Sequence, residues 1–86
     1  MPHFTKRIHS SLGDYNYYFN RIYTATGMRY HVSVIDKDKK VHMCLMEKKE
    51  GIWQLLDPEK CEELFILVEQ ELQKAIIQHL QDFTEK

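Results

Sequence analysis

Five short runs rich in β-branched and aromatic residues, each closed by a polar turn, precede a single long amphipathic stretch, and this order restricts the chain more than any other feature. The runs are His3 to His9, Tyr15 to Tyr23, Met28 to Ile35, Val41 to Glu47 and Ile52 to Leu55. Each is too short for an ordinary helix and has the composition of a strand. Between them, Ser10 to Asp14, Thr24 to Gly27, Asp36 to Lys39 and Lys48 to Gly51 supply Gly or Asp for tight reversals. Strands joined by such turns form an antiparallel meander. The expectation is an α+β fold: four to five meander strands, about 3–9, 15–23, 28–35, 41–47 and 52–55, followed by a helix of about 58–83 across one sheet face.

The helix has its own signals. Asp57 is placed to cap it, Pro58 suits its first position, and Glu59, Glu62 and Glu63 complement the dipole. At ~100° per residue, Cys61, Phe65, Val68, Leu72, Ala75, Ile76, His79 and Phe83 form one apolar stripe. Ile66 and Ile77 lie about 120–140° away from it and project together, a second line suited to a dimer or a partner helix.

Strand alternation predicts the pairing. A two- or four-residue loop around Lys37-Asp38 sets Val34 against Val41, Val32 against Met43 and Tyr30 against Leu45, so that apolar meets apolar. The Thr24 to Gly27 turn sets Tyr23 against Met28, Phe19 against Val32 and Tyr17 against Val34. It also aims Arg21 at Tyr30 on the inner face. That cation must reach solvent at the sheet margin or be turned aside by a bulge near Asn20.

The opposite face then carries Arg7, His9, Asn16, Tyr18, Asn20, Arg29, His31 and His42. Of these, Arg7, His9, Tyr18, Arg29, His31 and His42 are the candidate anion or nucleic-acid contacts, because cations grip phosphate while a ring stacks on a base. A strand meander followed by a helix is similar in outline to single-strand-binding transcription cofactors and to Pur-type repeats. None of their motifs matches residue by residue, so no residue role is carried over. A sequence pI near 6.5 does not suit nucleic acid, and a solvated polar face is the simpler reading.

Charge divides at Asp57: residues 1–56 carry nine Lys and Arg against five acids, and residues 57–86 three against eight. Such a split marks an anion-binding face or, equally well, a basic sheet packed on an acidic helix. The same register sets His31 opposite Cys44, with His42 on that face, but the trio lacks metal-site spacing and no metal or cofactor is expected. Cys44 and Cys61 are read as reduced thiols. His79, within the apolar stripe, has no nucleophile motif, phosphate loop or carboxylate pair to work with, so the chain is not read as an enzyme.

At 86 residues the chain fits one domain, 1–86, with a thin stability margin that a partner subunit would supplement. No apolar run reaches the ~18 residues of a membrane span, and Met1 to Ser10 lacks the apolar core of a secretory signal, which favours the cytoplasm. The functional expectation is therefore a non-catalytic, homodimeric protein-interaction module. Nucleic-acid or other anion binding comes second and a small enzyme third.

Overall fold

The computed structural model describes residues 3–84, with side chains through Gln81. Five antiparallel strands follow in sequence order: β1 (His3–Ser10), β2 (Gly13–Thr24), β3 (Gly27–Ile35), β4 (Val41–Lys49) and β5 (Ile52–Leu55). A 3₁₀ turn (Pro58–Lys60), a one-turn helix α1 (Glu63–Ile66) and helix α2 (Glu69–Thr84) complete the chain. The α+β meander and its C-terminal helix match the sequence expectation, and the Trp53 segment is a true fifth strand.

The sheet curls so that α2 touches both edge strands, β5 and β1. At one edge, Glu69 Oε2 accepts the Leu55 N–H at 3.0 Å, which satisfies an edge donor that no neighbouring strand can reach. At the other, the His79 ring stacks on Phe4 at 4.2 Å, and Phe4 stacks in turn on Phe19 at 4.3 Å. Between these contacts lies the core. The inner sheet face contributes Tyr17, Phe19, Tyr30, Val32, Met46 and Trp53, and the helical segment contributes Phe65, Val68, Leu72 and Ile76. Phe83 of the predicted stripe lies outside the described side chains.

The β2–β3 register is the predicted one, with Tyr17 opposite Val34, Phe19 opposite Val32 and Tyr23 opposite Met28. It runs without a bulge, so Arg21 stays on the inner face opposite Tyr30. There its guanidinium lies 6.0 Å from the exposed Tyr23 ring, and it offsets only part of the rise that burial imposes on the Tyr30 hydroxyl's pKa.

The β3–β4 register differs from expectation by one residue: Val34 faces His42, Val32 faces Cys44 and Tyr30 faces Met46. The cause is an odd loop. Asp36 and Lys40 form the closing pair (Asp36 N–H to Lys40 O, 2.9 Å), and the Lys39 N–H returns to Asp36 O at 2.9 Å. Lys39 adopts φ 66°, so the connection is a turn plus a left-handed residue, a three-residue loop rather than a two- or four-residue one. Asp36 Oδ1 stabilises it by accepting the Asp38 and Lys40 N–H groups at 2.8 and 2.9 Å. Because side chains alternate, one residue of slip turns Cys44 and Met46 inward and Val41, Met43 and Leu45 outward.

The helix also departs from expectation. Asp57 is left-handed at φ 51° and makes no side-chain cap, the chain from Pro58 completes only a 3₁₀ turn, and Cys61 is extended. The Cys61 thiol donates toward Leu56 O and Asp57 O at 3.6 Å each, holding this segment compact. A second interruption follows α1. The Val68 N–H bonds to Phe65 O at 3.2 Å rather than to Leu64 O, and the freed Leu64 carbonyl accepts the buried Tyr17 hydroxyl at 2.6 Å. Good local start signals thus yield to the need to bring the chain back across β4 before a long helix can begin.

Candidate functional site

The face of the sheet turned away from the helices carries most of the candidate residues. Its side chains fall in rows set by the ladder: Thr5, Tyr18, Ser33 and Met43 in one, His3, Asn20, His31 and Leu45 in the next, then Ile22, Arg29, Glu47 and Gln54. Beyond the first row, toward the β3–β4 turn, Ile35 pairs with Val41, while Arg7 pairs with Asn16.

Tyr18, Ile35, Val41 and Met43 therefore adjoin one another across β2, β3 and β4. They are 42%, 49%, 59% and 63% exposed, respectively. Four large apolar side chains at neighbouring ladder positions at one end of a sheet face form a patch, not a scatter of single exposed residues. The odd β3–β4 loop creates it. With an even loop, Val41 and Met43 would have been core and this face polar.

The polar candidates are arranged around that patch. Arg7, His9, Tyr18, Arg29 and His31 do share the open face, as their strand positions predict. His42 does not: it pairs with Val34 and sits on the inner side, between Asp36 and Glu62. Arg7 and Arg29 stand three rows apart, about 20 Å along the strands at ~3.4 Å per residue. Each is engaged locally. Arg7 Nη1 donates to Asn16 Oδ1 at 3.4 Å, Arg29 Nη2 donates to Thr26 Oγ1 at 3.2 Å and lies 4.0 Å from Glu47 Oε1, and His9 Nδ1 contacts Asp14 Oδ1. The cations form a rim and do not converge on one ligand position.

The same slip separates His31 from Cys44 and His42. Cys44 is buried on the inner side with His42, whereas His31 faces outward opposite Leu45. Burial pushes the Cys44 and Cys61 thiols up, and both are unpaired. Among the described residues, no group of three His, Cys, Asp or Glu is arranged to hold a metal ion.

Ile66 and Ile77 are each 46% exposed. The interruption at Leu67 and Val68 breaks the continuous helix on which their common line depended, and Ile77 borders a groove beside Lys48, Gly51 and Trp53. The apolar sheet patch was missed in the sequence because both faces of β4 carry apolar residues and Lys39 is not a Gly that would announce a left-handed turn position. Among the described residues, no helix is long and apolar enough to cross a membrane. No protein-family model, curated protein or solved structure matches the chain.

Proposed function

We propose that this chain is a non-catalytic protein-interaction module that forms a two-fold homodimer through its open sheet face. The observation that carries the reading is the contiguous Tyr18, Ile35, Val41 and Met43 patch. Polar residues border it as in specific interfaces, Arg7 and Asn16 beside one row and Asn20 and His31 in the next. A two-fold axis near Met43 lets the same patch serve both copies. The unpaired thiols suit a reducing compartment, consistent with a cytoplasmic assignment.

The magnitude bounds the affinity. Burying the exposed half of each patch side chain returns about 1 kcal/mol, so the four together supply about 4 kcal/mol per protomer before the cost of association. A dimer built on this patch has a dissociation constant in the micromolar range or weaker.

Sedimentation from about 1 µM to about 1 mM tests this. Self-association that is lost on Val41→Glu with Met43→Glu, and retained on Ile66→Glu with Ile77→Glu, supports the sheet face. A monomer throughout, or the reverse pattern of variants, overturns it.

A second reading rests on Arg7, Tyr18, Arg29 and His31 sharing that face. Single-stranded nucleic acid bound there would show an affinity that falls with salt and drops on Arg7→Ala and Arg29→Ala. The wide cation spacing and the Arg29 contact to Glu47 make it the weaker of the two.

A further inference from the structure

His42 occupies the first inward position of β4, with its Nε2 2.7 Å from Asp36 Oδ2 and its Nδ1 against Glu62 Oε2. An ionised carboxylate only accepts hydrogen bonds, so both contacts require hydrogen on both ring nitrogens. A neutral imidazole satisfies one carboxylate and turns a lone pair toward the other. This arrangement is therefore built for the imidazolium.

The two carboxylates are not held equally. Asp36 is 17% exposed at its side chain and is fixed by the Asp38 and Lys40 N–H groups. Glu62 is 56% exposed, and among the described residues His42 is its side chain's polar partner. Loss of the proton releases Glu62 first.

Glu62 closes one end of a strap. The chain leaves the sheet at Leu56, whose N–H bonds to Leu45 O at 2.9 Å, bulges outward through Asp57 and the 3₁₀ turn, and returns at Glu62 to open α1. Between strap and sheet lies a groove of about 290 Å³. Met43, Cys44 and Leu45 line it from β4, and Leu56, Lys60 and Cys61 from the strap. It sits where β4 extends past the end of β5, so strap residues alone cover that stretch of edge.

We propose that Asp36, His42 and Glu62 form a proton-operated clasp: protonated His42 holds the strap down over the Cys44 groove, and loss of its proton frees the Glu62 end. The two flanking carboxylates raise the imidazole's pKa above the ordinary histidine value, Asp36 foremost. The clasp's contribution is therefore complete below the unfolded value and is lost as pH rises through the higher folded one. Among the described residues, Asp36 and Glu62 are the charged groups that shift the ring. Val34 faces it across the ladder, the Tyr17 hydroxyl of β2 is committed to Leu64 O, and Lys37, Lys39, Lys40, Glu59 and Glu63 are exposed.

Two measurements on the full chain test this. Titration of the imidazole C–H resonances, with His42 assigned through His42→Gln, should place His42 above an ordinary histidine, and Glu62→Gln should lower it. Hydrogen exchange should show the Phe65 and Ile66 amides, which donate to Glu62 O, losing protection at least about tenfold between pH 6 and pH 9 after correction for intrinsic rate. Glu62→Gln should show the low protection at both pH values, while β2 and β3 amides stay unchanged. An ordinary or lowered His42 titration, or equal protection at the two pH values in the native chain, overturns the clasp whatever the variants do.

Discussion

Replacing Tyr17 by Phe tests the link between the sheet and the helix break. The Tyr17 side chain is fully buried, and its hydroxyl donates to the Leu64 carbonyl at 2.6 Å. Phe keeps the ring, including its edge contact with Phe65 at 6.1 Å, and removes only the donor. The Leu64 carbonyl is then buried without a partner, because the Val68 N–H that an unbroken helix would offer it is bonded to Phe65 O. Such a loss costs about 1–3 kcal/mol, against a total stability of roughly 4–13 kcal/mol for a chain of this size. Urea unfolding should show a midpoint lower by about 1–2 M with an unchanged slope, and the melting temperature should fall by roughly 10 °C. A loss under about 0.5 kcal/mol would refute the argument. It would mean that the Val68 N–H swings back to Leu64 O and that Tyr17 does not hold the break open.

Ionising Tyr17 should act in the same direction. Burial pushes its pKa up to about 12 in the fold, so stability holds below pH 10, the unfolded value, and falls from pH 10 toward 12. A stability profile against pH should show that fall reduced in Tyr17→Phe. Glu69→Ala leaves the Leu55 N–H at the β5 edge without its charged acceptor and should cost about 1.5–3 kcal/mol, with the loss of exchange protection concentrated in β5. Lys39→Gly relieves a non-glycine residue at φ 66° and should stabilise the fold by about 1 kcal/mol in urea titration without changing the β3–β4 register.

Much of this fold is legible along the chain because local chemistry and tertiary packing agree. The Thr24 to Gly27 turn and the alternation of Tyr17, Phe19 and Tyr23 specify the β2–β3 register. Phe65, Val68, Leu72, Ala75 and Ile76 bury the stripe that helical periodicity assigns them, and Arg7, His9, Tyr18, Arg29 and His31 lie on the face that strand parity assigns them. His42 does not, for a reason that lies in the neighbouring turn.

Composition and periodicity determine strand order, the helix stripe and the polarity of β1 and β2, because each follows from residues near one another in the chain. Tertiary structure decides the parity of β4 and the true start of the helix. Either face of β4 could have been core, and the choice falls to a left-handed Lys39 held in an Asp36-capped loop. Asp57 and Pro58 could have started a helix, but Glu62 and the Tyr17 hydroxyl make contacts across the fold that one straight helix would forfeit. The apolar patch and the His42 clasp are consequences of those two decisions. The patch follows from one short loop whose length periodicity does not record, and the clasp from the return of Glu62 to β4.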